Sequence, residues 1–138
     1  MSAELLVGNW KLVSWQVVTD DGARDLFGAK PNGYLILTPG GRSMALTTAE
    51  HRVPGESDAD RAALHKSMLA YTGKYRVEGE EFIATVDASW NEGWNGTEQR
   101  RRYRFGDDGK LFIESAPAPS IVFPGKVDFR RIVWEREA

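Results

Sequence analysis

Gly8-Asn9-Trp10-Lys11-Leu12-Val13-Ser14-Trp15, near the start of the chain, and Arg130-Arg131-Ile132-Val133-Trp134-Glu135-Arg136, near its end, are the stretches on which the fold turns. Both carry the apolar and aromatic residues of strands. A sheet whose last strand returns to its first has no edge left open to other chains. Strand-like stretches at both ends therefore suit the first and last staves of a small closed barrel.

Between these ends the punctuation is a series of short turn signals: Asp20-Asp21-Gly22, Asn32-Gly33, Pro39-Gly40-Gly41, Glu78-Gly79-Glu80, Asp107-Asp108-Gly109 and Pro124-Gly125. They divide the chain into eight pieces that read as β, at 10–19, 34–38, 43–48, 74–77, 82–90, 98–105, 110–115 and 127–136. Eight strands close into a barrel just wide enough for one small ligand. One segment breaks the rhythm. Residues 57–72 contain no Gly or Pro and place Leu64, Met68 and Tyr71 at helical spacing. Ser57 as N-cap, Asp58 and Asp60 in the first turn and Gly73 beyond the end predict a helix over this whole range, lying on one barrel end as a plug or lid.

At 138 residues, with 41% hydrophobic content, five Trp, four Tyr and six Phe, the chain is sized for one self-sufficient domain, residues 1–138. It has no Cys, which excludes a disulfide framework and thiolate metal sites and suits a reducing compartment. Leu5-Leu6-Val7 after Glu4 falls far short of a signal segment or of a roughly 20-residue membrane span, so a cytoplasmic protein with no membrane partner is the expectation. A net charge of −2 lacks the basic excess of a nucleic-acid binder. A small molecule is the better starting partner, and a homodimer is left open. His51 and His65 stand in no metal-ligand spacing, and no phosphate loop, dinucleotide fingerprint or nucleophile elbow is present, so neither metal nor cofactor is expected.

Five blocks carry a family resemblance: residues 8–15, Gly33-Tyr34-Leu35-Ile36-Leu37-Thr38-Pro39, Ala70-Tyr71-Thr72-Gly73-Lys74-Tyr75, Trp94-Asn95-Gly96-Thr97-Glu98-Gln99 and Val133-Trp134-Glu135-Arg136. In this order, across nearly the whole chain, they resemble the bacterial lipocalin-like domain family. The resemblance implies a mainly β protein, an eight-stranded antiparallel barrel with one helix at a barrel end. It also implies that Trp10 seals the base with a basic side chain from the last strand, Arg131 or Arg136, lying across it. Small barrels that act as cyclases or isomerases in natural-product pathways offer an analogy of fold only.

The other end of the barrel is where function is expected. Trp90-Asn91-Glu92-Gly93-Trp94-Asn95-Gly96 combines flat apolar side chains with amides and a carboxylate, suited to gripping a ring and orienting its polar atoms. In the strand that follows, alternation sends Arg100, Arg102 and Arg104 to one face and Gln99, Arg101, Tyr103 and Phe105 to the other. Tyr103 and Phe105 need burial, so Gln99 and Arg101 should point inward. A buried guanidinium must be paired or await an oxygen-bearing ligand, which makes Arg101 the leading site residue.

Its partner on the preceding strand would be Asp87, if that side chain faces in. The set Phe82, Ala84, Val86, Ala88 and Trp90 is the more apolar face, and a one-residue bulge would exchange the two. An inward Asp87 beside Arg101 would make an acid–base centre. Further wall candidates are Tyr34, Ile36, Met44, Leu46, Tyr75 and Ser115, with Met68 and Tyr71 supplied by the helix. The sequence thus leads to a binder of a small apolar or aromatic ligand bearing a carbonyl, phenol or carboxylate. Two alternatives stand beside it: a cofactor-independent isomerase or cyclase, and a filled barrel that acts through protein contacts. Cavity volume separates the last from the other two.

Overall fold

The computed structural model describes residues 2–137. A short helix, α1 (Ser2–Leu5), leads into β1 (Gly8–Thr19), β2 (Gly22–Asp25), β3 (Asn32–Leu37) and β4 (Arg42–Thr48). A second helix, α2 (Asp58–Lys66), precedes β5 (Met68–Glu78) and β6 (Glu81–Ser89). After a single 3₁₀ turn (Glu92–Trp94) come β7 (Glu98–Phe105), β8 (Leu111–Glu114), β9 (Ala118–Pro119) and β10 (Val127–Arg136). Strands β1-β3-β4-β5-β6-β7-β8-β10 form an antiparallel round, and β10 pairs with β1 from Trp10↔Arg136 to Val18↔Phe129 to close it. The short β2 and β9 extend the edges that β3 and β8 leave open at one end.

All eight expected strands are present, and the long first and last ones make the closing seam. The helix is shorter than its sequence pattern predicts. It starts as expected: Ser57 Oγ accepts from the Asp60 backbone N–H while the Asp60 carboxylate accepts from the Ser57 N–H. It stops at Ser67, where Arg52 donates to Leu64 O and Ser67 Oγ. Met68 to Thr72 pair instead with Thr48 to Met44 of β4, so Met68 and Tyr71 are strand residues. The reason is the ladder. A helix continued through this stretch would leave β4 unpaired there, and α2 itself buries no residue whose packing would repay the extension. It lies at the rim of the barrel and does not plug it.

Alternation fixes the inner face. Leu35 and Leu37 of β3, Ser43, Ala45 and Thr47 of β4, and Leu111 and Ile113 of β8 are buried, with exposed or half-buried residues between them. Two irregularities reset the parity. In β1 the register against β10 shifts between Leu12 and Ser14, so that Trp10 and Leu12 are followed by Trp15 and Val17 in facing the interior residues Trp134, Ile132 and Arg130. In β6 the register against β5 shifts between Val86 and Ala88, leaving Asp87 as the extra residue. Gly73 lies opposite, where a Cβ would fall inside van der Waals contact of Thr85 O. Gly33, read from sequence as part of a turn, lies within β3 for a similar reason: a Cβ there would come 2.6 Å from Leu46 O.

Candidate binding site at the barrel mouth

The two barrel ends differ. At the base, fully buried Trp10 donates its indole N–H to Leu6 O at 2.9 Å, and the Arg136 guanidinium lies 4.3 Å from the Trp10 ring centroid. Arg136 also donates to Val7 O (2.9 Å) and to Leu5 O, tying the α1 turn down as a floor. Of the two basic candidates for this position, Arg136 occupies it. Arg131 pairs with Glu114 at 2.8 Å and lies over Phe129.

Above this floor the interior narrows to a chamber of about 50 Å³, walled by apolar side chains together with Tyr71, Arg101 and Arg130. Trp15, Leu69, Trp94, Arg101 and Arg130 also line a wider space of about 400 Å³ outside it, a vestibule whose rim includes Phe27, His65, Met68 and Trp90. These five shared residues form the neck between the two. The volume lies at the mouth, while the deep barrel is largely packed.

Arg101 is held as alternation predicted, on the inner face of β7, half-buried, with Arg100, Arg102 and Arg104 outside. Those three outer arginines are paired: Arg100 with Glu81 at 2.6 Å, Arg102 with Glu80 at 2.9 Å, and Arg104 with Glu114 at 3.7 Å while stacked on Phe112. Arg101 differs. Its donors reach only Arg100 O and Gln99 Oε1, both at 2.9 Å, and among the described residues no carboxylate pairs with it. Burial pulls its pKa below the usual arginine value; the nearby Tyr71 phenol opposes this and the Arg130 charge adds to it. Burial pushes the Tyr71 phenol up, with Arg101 acting against that shift. No hydrogen bond joins Tyr71 to Arg101. Arg130 is anchored by Asp128, 2.8 Å away and itself buried.

The Trp loop is built by its polar residues. Ser89 Oγ lies within hydrogen-bonding reach of two acceptors, Asn91 O and Asn95 Oδ1, and the Asn91 side chain accepts from the Gly93 N–H. This sets Trp90 and Trp94 edge to face at 5.0 Å, with Tyr71 5.3 Å from Trp94. His65 Nε2 lies 3.0 Å from Trp90 O, joining α2 to the loop.

Several expected site residues stand elsewhere. Asp87 faces outward and pairs with Arg42 at 2.7 Å, because the more apolar set Phe82, Ala84 and Val86 takes the inner face and alternation then turns Asp87 out; the bulge at this residue only resets the parity beyond it and turns Ala88 out. There is no Asp87–Arg101 centre. Tyr34, Ile36, Met44 and Leu46 lie on the outer wall, 37–51% exposed: β3 is apolar on both faces and buries Leu35 and Leu37, and β4 buries its small residues Ser43, Ala45 and Thr47 while its larger apolar side chains face out. Tyr75 faces in but is a prop, stacked on Phe82 at 5.2 Å and donating to Thr38 O. Tyr103 is core. The Ser115 hydroxyl accepts from the Arg130 N–H, fastening the end of β8 to β10. Gln99 sits beside the neck and holds Arg101.

The sequence reading passed over Arg130, Trp15 and Trp134. The signal for Arg130 was present: Ile132 and Trp134 demand burial, so alternation carries Arg130 inward. Trp15 carried no such signal, since the β1 bulge reverses its parity.

Residues 7–137 match the lipocalin-like domain. The chain belongs to the lipocalin-like domain family. A lipocalin-like protein from Bacteroides uniformis has the same fold, at a TM-score of 0.52 and 12% identity, covering 96% of this chain and 99% of its own. An uncharacterized protein from Bacteroides eggerthii gives a TM-score of 0.48 at 15% identity, covering 95% and 98%. No curated protein matches the chain. A lipocalin-like barrel is consistent with ligand binding, and among the described residues no helix is long and apolar enough to cross a membrane.

Proposed function

We propose that this lipocalin-like barrel binds a small molecule with an apolar, preferably aromatic, body and an oxygen-bearing head that accepts hydrogen bonds from Arg101. The supporting observation is the half-buried Arg101 guanidinium at the neck, which has neutral acceptors on one side and open space on the other. A buried guanidinium so placed costs stability unless something completes its shell, and a site that binds polar-headed ligands is one setting in which such a residue is retained. The vestibule supplies the rest: about 400 Å³, within the range of small-molecule sites, with three tryptophans on its wall.

Tyr71 beside Arg101 favours a second reading, isomerisation or cyclisation of a bound carbonyl compound. Arg101 would polarise the carbonyl, and the phenol, held protonated by burial, would donate to it. The lack of a hydrogen bond between the two ranks this reading below simple binding.

Native mass spectrometry of freshly purified protein, followed by a denaturing run, tests the proposal. The expected result is a co-purified small molecule released on unfolding, or saturable quenching of tryptophan fluorescence by bicyclic aromatic probes. A bare protein that gives no quenching with any such probe overturns it.

A further inference from the structure

We infer that the ligand's head is an anion of carboxylate type seated in the chamber between Arg101 and Arg130, with the aromatic body remaining outside in the vestibule. This rests on the binding function proposed above and narrows it to a ligand class and a pose.

Charge is the first observation. The walls of chamber and vestibule include Arg101, Arg130, Lys66 and His65 and not one acidic side chain, on a chain whose formal net charge is −2. Asp128, off these walls, neutralises Arg130. Two guanidiniums set against one carboxylate leave the neck with one positive charge in excess. Arg101 and Arg130 are close enough for Arg130 to lower the Arg101 pKa, so a monoanion between them would relieve that repulsion while accepting from both.

Unsatisfied donors are the second. The indole N–H groups of Trp15 and Trp134, both chamber residues, are buried with no acceptor among the described residues, whereas the Trp10 N–H at the base has one. Buried donors without partners are rare. Together with the Arg101 and Arg130 guanidiniums on the same wall, these two indoles favour an acceptor-rich head over one that itself donates.

Size is the third. About 50 Å³ accommodates a few water-sized groups, enough for the atoms of a carboxylate and too little for a ring. The ring must therefore stay in the vestibule, against Trp94 and Trp90. This orientation places the polar end deep and the apolar end at the rim.

The test compares 2-naphthoate with its neutral isostere 2-naphthamide by titration calorimetry and tryptophan quenching on the intact protein. The acid should bind at least about tenfold more tightly, as expected for a charge-assisted head group. In Arg101→Leu that preference should fall to near unity. In Asp128→Asn, which removes the carboxylate that pairs with Arg130, it should rise above the wild-type value, a direction that loss of packing alone would not produce. Equal affinities for acid and amide in the wild type would overturn the anion inference while leaving the binding function intact. No binding of either would overturn both. The wild-type ratio decides the matter even if the Asp128 variant fails to fold.

Discussion

Arg136 and Arg101 occupy opposite ends of one barrel, each close to tryptophan, and they serve different ends. At the base, Arg136 caps two backbone carbonyls and stacks on a tryptophan whose own N–H is satisfied, so every polar group just described there has a partner. At the neck, Arg101 has neutral acceptors only, and two indole N–H groups of the adjoining chamber have none. A region complete in its hydrogen bonding has stability as its physical role. A region left incomplete in a folded protein is where an outside group would be accommodated.

The largest effect that would sharpen this contrast is at the base. Trp10→Ala removes a fully buried indole and its bond to Leu6 O, and should cost about 3–5 kcal/mol in urea unfolding. Only a small loss would mean that the floor is not what holds the barrel shut. Next comes the bulge at Asp87. Gly73→Ala forces a Cβ against the backbone of β6 and should destabilise by roughly 1–3 kcal/mol in the same assay.

Smaller, and opposite in sign between the two ends, are the arginine substitutions. Arg136→Leu should lower the unfolding midpoint, through loss of two backbone contacts and a cation–π interaction worth about 0.5–1 kcal/mol. Arg101→Leu should leave the midpoint unchanged or raise it, because an apolar side chain replaces a half-buried charge without a carboxylate partner. Equal destabilisation by both would erase the distinction drawn here.

The smallest effect is in pH dependence. Tyr71 has a folded-state pKa raised above the ordinary value of 10.0 by burial. The native state therefore holds this proton more tightly than the unfolded chain. That contribution is fully present below about pH 10 and is lost as pH climbs through the raised value. Thermal melts at alkaline pH should show a steeper fall for the wild type than for Tyr71→Phe.

The family resemblance seated Trp10 at the base, and residue types and two-residue alternation were enough to locate the eight strands and to sort β7 correctly. Local spacing carries that information directly, and Tyr103 and Phe105 leave Arg101 no other face. The same alternation would have found Arg130 had it been read back from Trp134. Tyr34 was misplaced because β3 is apolar on both faces, and Met44 because β4 buries the small residues Ser43, Ala45 and Thr47 and turns its larger apolar side chains out, so hydrophobicity alone does not say which side is inside.

What the sequence by itself determined is the closed barrel and the inward guanidinium of Arg101, since each follows from the order and period of neighbouring residues, while the sealed base followed from the family resemblance. Only the tertiary structure decided that residues 68–72 pair as strand, that bulges turn Ala88 out and Trp15 in, and that Arg130 with its Asp128 meets Arg101 at the neck. The physical reason is that register and bulges are set by ladder hydrogen bonds between strands distant in the chain, and a shift of one residue exchanges the two faces of everything beyond it.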